Sequence, residues 1–183
     1  MSALIIILAI VALVVIWVIG VQRKLVEKDE LCKNALSQIG VQQNSRWDAL
    51  TALVELIKSY NEHEYNTLKD VIASRKQVNA NSSAEDIQQA ENEIAGAMKQ
   101  INVVVEQYPD LKANENYQKA MDSVNQYENL VRTSRMVYND TVTNFNKLVR
   151  QFPDSIVAGM LHFEARNYLQ EPQGKTDMPS LKI

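Results

Sequence analysis

One histidine–glutamate pair in this sequence has side chains suited to metal chemistry. His63 and Glu64 begin like the His-Glu-x-x-His motif of zinc proteases, in which a second histidine four residues later shares the helix face. Thr67 occupies that position here, and His162, the only other histidine, is far along the chain. We therefore expect no metal site, and we interpret His63 and Glu64 as helix-surface, capping or bundle-interior residues.

Nucleophilic catalysis and phosphate binding also lack their sequence signatures. The sequence contains no Gly-x-Ser-x-Gly elbow and no Gly-rich phosphate loop. The single cysteine, Cys32, excludes an internal disulfide and a multi-cysteine metal site, and it fits a reducing compartment. We interpret it as a small helix residue, with lipid attachment as the alternative. We expect neither an enzyme activity nor a cofactor.

Four polar residues are candidates for buried positions between helices. Glu128 and Arg135 are seven residues apart, and Arg135 and Asn139 are four apart, so that all three share one helix face. Glu106 is the fourth candidate. Charged side chains inside a bundle can fix the helix register because an unpaired buried charge is very costly. We interpret this set as register-setting, with a ligand pocket as the alternative.

Helices are predicted to carry all of these residues, because apolar side chains recur every three to four positions. The first soluble helix is expected from near Lys24 to near Val78. It can continue an apolar N-terminal helix, and Gly20 and Gly40 are the points most easily bent.

Caps and prolines divide the rest of the chain. Ser83 is the expected N-cap of the second helix, which ends at Tyr108-Pro109. A third helix is expected from about Asn114 to Gln151, and a fourth from Ser155 to Leu169.

The absence of period-2 alternation predicts an all-α protein. We expect an N-terminal transmembrane helix followed by an elongated antiparallel bundle of the four-helix type. The predicted boundaries are 1–23 for the anchor, 24–170 for the bundle domain and 171–183 for an extended C-terminal tail.

The predicted anchor is an uncharged apolar run from Ala3 to Val21. As a helix it reaches about 28 Å, close to the hydrocarbon thickness of a bilayer. No basic residue precedes the run, and it is too long for a signal peptide, so we expect an uncleaved anchor. Its representative residues are Ala3, Leu8, Leu13, Trp17 and Val21.

Charges next to the run predict its orientation. Arg23, Lys24, Lys28 and Lys33 all follow the span, which by the positive-inside rule places the N-terminus outside and the helical domain in the cytoplasm. The formal net charge of −3 is too modest to indicate nucleic-acid binding.

Several phrases of the soluble region resemble a known family. They are LTALV at 50–54 with YNEHE at 60–64, EQYPDLKANENY at 106–117, RMVYN at 135–139 with Phe145-Asn146, and FPDSIVA at 152–158. Together with the N-terminal span, they resemble the LemA family of bacterial membrane proteins. The resemblance implies a single-span protein of the bacterial cell membrane with a helical bundle and no general enzymatic activity. One branch of that family is associated with building magnetosome membranes.

Two further segments bear on the resemblance. Residues 40–47, GVQQNSRW, stand where many relatives carry Asp-Val-Gln-Leu-Lys-Arg-Arg, so this turn has less positive charge. The tail PSLKI at 179–183 is similar to the usual family ending, and its apolar residues suit docking on the bundle or on a neighbour.

Three functions remain open at this point. The leading one is a membrane-anchored helical scaffold that self-associates or organises membrane at the cytoplasmic face, with the lipid bilayer and further copies of itself as partners. The alternative is an adaptor that recruits an unidentified signalling, protease or transport protein. The third, a small enzyme or ligand sensor, requires a deep pocket lined by Glu128, Arg135 and Asn139.

Overall fold

Helices are the only regular elements in the part of the chain that the structure describes. This computed structural model covers residues 1–73, 75 and 77–170, and it confirms the predicted all-α class. The predicted extended tail, 171–183, lies outside the described residues. The helices are α1 (Ser2–Lys58), α2 (Glu62–Ala73), α3 (Ala84–Gln107), α4 (Pro109–Ala113), α5 (Glu115–Arg150) and α6 (Asp154–Met160).

The helix α1 passes without interruption from the apolar run into the bundle. It is 57 residues long, and its buried residues begin only at Val21. The helix continues through Gly20 and Gly40, the two points that the sequence suggested are most easily bent. A Cβ on Gly40 would collide with the carbonyl oxygen of Val78, so glycine there allows the two backbones to approach closely.

The predicted helix from Lys24 to Val78 is wrong in its second half, because the chain breaks between Lys58 and Glu62. Asn61 provides the physical reason. Its side-chain oxygen accepts from the backbone N–H groups of His63 (2.8 Å) and Glu64 (3.4 Å), which starts a new helix. Its amide nitrogen donates to the hydroxyl of Tyr108 at 2.6 Å and ties this turn to the end of α3.

Two predicted helix starts are confirmed by their caps. The hydroxyl of Ser83 accepts from the backbone N–H of Asp86, and the Asp86 carboxylate accepts in return from the N–H of Ser83. Asn114 caps α5 by accepting from the backbone N–H groups of Asn116 and Tyr117. These caps require only neighbouring residues, which is why the sequence indicated them.

The predicted fourth helix is too long, because α6 ends at Met160. The backbone N–H of Phe163 donates to Ala158 O, and that of His162 donates to Gly159 O, which together form a Schellman motif. His162 takes the left-handed conformation (φ 59°) that glycine usually supplies at this point. From Phe163 to Gln170 the chain has no regular secondary structure, and we call this segment the strap.

Two apolar clusters fill the bundle, and α1 and α5 contribute to both. The cluster nearer the apolar run is called the proximal cluster, and its buried members are Val21, Leu25, Cys32, Ala35, Leu36, Ile39, Val78, Ile87, Ala90, Tyr138, Val142, Phe145, Val157, Ala158 and Leu169. The other is called the distal cluster, with Trp47, Leu50, Leu53, Val54, Ile57, Leu68, Ile94, Ala97, Ile101, Val104, Val105, Leu111, Tyr117 and Val124. Because Arg46 pairs with Glu128 whereas Cys32 faces Thr141, α1 and α5 run antiparallel.

Candidate functional site

Arg46 lies between the two clusters and joins three helices. Its Nη2 is 2.9 Å from Glu128 Oε2 on α5, and its Nη1 is 3.4 Å from Glu91 Oε2 on α3. Gln43, one turn earlier, donates to the other oxygen of Glu91 at 2.8 Å. Burial lowers the pKa of Arg46, and the neighbouring Glu91 opposes that shift; the guanidinium remains charged. This buried charge, with partners on two other helices, connects α1, α3 and α5.

The strap is held by asparagine side chains of α5. Asn146 accepts from the backbone N–H of Arg166 (2.8 Å) and donates to its carbonyl (2.9 Å). Asn139 does the same for Leu169, at 2.9 and 3.0 Å. Seven helical residues rise about 10.5 Å and three extended residues about 10 Å, so the two asparagines match the two strap positions. Each amide takes the place of a neighbouring β-strand.

Further contacts fasten the strap on both sides. The Tyr138 hydroxyl donates to Asn167 O at 3.2 Å, and Arg135 Nη2 donates to Gln170 O. On the other side, the Arg166 guanidinium donates two hydrogen bonds to Oδ1 of Asp29 on α1, from Nε at 3.1 Å and from Nη2 at 2.7 Å. The strap therefore links α5 to α1.

The carboxylate of Asp29 is tuned by this contact. Its burial works to raise its pKa, but hydrogen bonds and charge from Arg166 and Lys33 outweigh burial and hold the pKa below its usual value. Asp29 is thus stabilised in the charged form that the strap requires.

A groove of about 400 Å³ opens where the Arg46 layer meets the end of the strap. It brings together three of the residues singled out in the sequence: Glu128, Arg135 and Asn139. The full lining is Glu91, Glu128, Asn129, Val131, Arg132, Arg135, Met136, Asn139, Leu169 and Gln170. Glu128 is engaged with Arg46, whereas Arg135 and Asn139 hold the strap backbone, so these side chains serve the architecture.

Glu106 does not join this set. It is exposed on α3, although the preceding Val104 and Val105 are buried, so its predicted burial is wrong. Sequence reasoning missed Arg46 and Asn146, which are buried. The spacing of Asn139 and Asn146 on one helix face was the available signal, but its partner, the strap, was predicted to be helical.

The candidates for metal or nucleophilic chemistry are dispersed. His63 is exposed in the first turn of α2, and His162 lies in the turn after α6. Within the described ranges no three His, Cys, Asp or Glu side chains are placed to hold a metal ion. Cys32 is fully buried, and burial raises the pKa of its thiol, which makes it a poor target for lipid attachment.

The predicted anchor residues lie on an exposed length of helix. Ala3, Leu8, Leu13 and Trp17 are exposed, and the apolar stretch of α1 is long enough to cross a membrane with almost none of it buried in protein. Val21 differs from the other four, because it is packed into the proximal cluster.

The basic residues that follow the apolar run divide into two pairs. Arg23 and Lys24 are exposed. Lys28 lies 3.0 Å from Glu27, and Lys33 is paired with both Asp29 and Glu30.

The apolar first part of α1 is exposed, and the rest of α1 belongs to a helical bundle. These two features place the chain in the class of membrane-associated helical-bundle proteins. The model of the LemA family matches residues 35–182, and the chain belongs to that family. This finding confirms the resemblance seen in the sequence.

Curated relatives agree with this assignment. Two of them, the magnetosome proteins MamQ 1 and MamQ 2 of Paramagnetospirillum magneticum, are each 30% identical over 88 residues, which is 48% of this chain and 32% of theirs. The protein LemA of Metamycoplasma hominis is 26% identical over 147 residues, 78% of this chain and 66% of its own. The chain therefore spans about a third of the length of the MamQ proteins.

Proposed function

We propose that this protein is a membrane-anchored helical scaffold that self-associates and organises membrane at the cytoplasmic face, without catalysis. The observation that carries the proposal is the continuity of α1, a helix of about 86 Å. Its apolar first third suits the bilayer, and the rest forms the central element of the bundle. A continuous helix transmits the orientation of the domain to the span, so that contacts between domains also arrange the spans.

Exposed apolar side chains support self-association. Leu31 of α1 and Val137 of α5 line a shallow groove of about 240 Å³ between these helices. Both side chains are exposed. Apolar groups gathered on one face of a bundle are typical of contact surfaces.

The relatives agree with a membrane role. Two of them bear the name magnetosome protein, in keeping with the membrane-organising branch of the family.

Light scattering combined with electron microscopy tests the proposal. Full-length protein extracted in mild detergent should form a large, symmetric particle with a mass that is stable on dilution. Val137→Glu should lower that mass, because it places a charge in the apolar groove. Val103→Glu, at an exposed apolar position on α3, is the matched control and should leave the mass unchanged. A monodisperse monomer would contradict self-association.

The adaptor is the second candidate, and the groove beside the strap favours it. Asn129, Arg132 and Met136 are exposed along this groove, which suits a polar segment of a partner protein. A photo-crosslinker at Met136 should then capture the same protein reproducibly while the purified chain remains monomeric.

A further inference from the structure

The corner that joins α5 to the strap exposes large apolar side chains. Phe152, Ile156, Met160 and Leu161 are 76, 53, 70 and 44% exposed. The opposite side of α6 is packed into the bundle, because Val157 and Ala158 are buried in the proximal cluster. The corner, defined as residues 151–162, is therefore apolar on both faces, and its outer face has no cover within the described chain.

The pairing of α1 with α5 fixes the height of this corner. Cys32 faces Thr141, and the two helices run antiparallel. Nine residues further along α5, Arg150 lies about level with Arg23. The last residue of α5 thus stands at the end of the apolar run.

The strap gives the same height independently. Arg166 contacts Asp29, and the three residues before it reach at most about 10 Å, which corresponds to about seven residues of helix. Phe163 therefore lies between the levels of Gln22 and Asp29, and its ring packs edge-on against that of Phe145. The corner connects Arg150 to Phe163 at this end of the bundle. Val18 of the apolar run packs against the cluster that contains Val157 and Ala158.

Exposed basic side chains lie at about this level of α1 and α5. Arg23 and Lys24 of α1 are exposed, as are Lys147 and Arg150 in the last turns of α5. An apolar tip below a group of lysines and arginines is the arrangement by which proteins enter the lipid interface and attract anionic headgroups.

We infer that the corner at residues 151–162 is a second membrane contact, which dips Phe152, Ile156, Met160 and Leu161 into the interface of the bilayer that α1 spans. The inference rests on the proposed membrane anchor. Its occupant is the lipid surface, because the corner is level with the end of the span and is flanked by positive charge. Two contacts, one through α1 and one through the corner, fix the tilt of the bundle.

Depth-dependent fluorescence quenching tests this inference in the full-length protein. Single cysteines replace Met160, Leu13 and Val103 in a Cys32→Ala background and carry a bimane label. The protein is reconstituted in vesicles of phosphatidylcholine and phosphatidylglycerol, with nitroxide-labelled acyl chains as the quencher. We expect loss of fluorescence at Leu13 and at Met160, and none at Val103, an exposed apolar residue beside the distal cluster.

The three labels separate the possible failures. Quenching at Leu13 without quenching at Met160 would overturn the second contact and leave the anchor intact. Absence of quenching at both would overturn the anchor and the contact together. Cross-linking of the Met160→Cys variant between protomers, without lipid quenching, would assign the corner to a second copy and also contradict the inference.

Discussion

The two halves of the bundle are held together by different means. The distal cluster is helix against helix, with α2 and α4 closing over α1, α3 and α5, and its largest buried side chain is that of Trp47. In the proximal half, the chain from Phe163 to Gln170 has no helical hydrogen bonds and depends on Asn139, Asn146 and Arg166. Both halves bury an apolar cluster of similar size, and the proximal half differs in that polar contacts hold its strap.

This difference has a functional consequence. Because polar contacts hold the strap and Val157 and Ala158 fill the core, the outer apolar side chains of the corner are free to face lipid. The distal half does not need to keep apolar side chains exposed to lipid. The strap allows the corner to present Phe152 and Met160 outward while Val157 remains in the core.

The largest expected effect lies in the distal half. Trp47→Ala removes a fully buried indole and should lower the free energy of unfolding by about 3–5 kcal/mol. Denaturant titration of the full chain in detergent, followed by circular dichroism, measures it. Val103→Ala, on an exposed part of α3, is the control and should change stability by less than about 0.5 kcal/mol. Equal losses would show that the distal cluster does not carry the stability.

Arg46 tests the boundary between the halves. Arg46→Met leaves Glu91 and Glu128 without their guanidinium and should cost roughly 3 kcal/mol. Adding Glu91→Gln removes the more buried of the two carboxylates, so the double variant should recover part of the loss in the same titration. If the double variant is less stable than the single one, the ion pair is not the cause.

The strap should respond locally. Asn139→Ala or Asn146→Ala leaves two backbone groups of the strap unpaired, which costs about 1–3 kcal/mol for each site. Amide hydrogen exchange should accelerate at Arg166 and Leu169 and remain unchanged in α3. Asn144→Ala, at an exposed position of α5, is the matched control. Unchanged exchange at Leu169 in Asn139→Ala would contradict the strap contacts.

The smallest expected effect is a dependence on pH at Asp29. Its pKa is lowered in the folded protein, so its contribution to stability is present above the usual aspartate pKa of 3.8 and is lost as the pH falls through the lowered value. Because the pair is partly exposed, we expect about 1 kcal/mol or less. Between pH 5 and pH 2, the Asp29→Asn variant should lose less stability than the parent chain. Thermal unfolding at each pH measures this difference. Parallel curves would contradict the role of this carboxylate.

Local signals explain how much of the fold was predictable. Ser83 and Asn114 were identified as helix starts because their caps use backbone groups two or three residues away. The turn at His162 was missed, since glycine is the usual sign of a left-handed residue. The break before Glu62 depends on Asn61, whose second partner, Tyr108, is remote in sequence.

The candidate site was predictable only in part. Glu128, Arg135 and Asn139 share a helix face, so their meeting at one groove followed from spacing. Arg46 was missed because its partners are on α3 and α5, and no local pattern reports such pairs. The periodicity of apolar residues predicts helix faces, but it does not predict which residues of distant segments contact each other.

We propose that one rigid helix, α1, connects the bilayer to the bundle. A distance measured between two positions on this helix tests the proposal. Spin labels at Leu13→Cys and Val41→Cys, both exposed on α1, are introduced in a Cys32→Ala background. The labelled full-length protein is diluted with unlabelled protein and placed in lipid nanodiscs for double electron–electron resonance. A continuous helix predicts one narrow distance of about 42 Å. A broad distribution or a clearly shorter distance would show a hinge between span and domain, and would contradict the account.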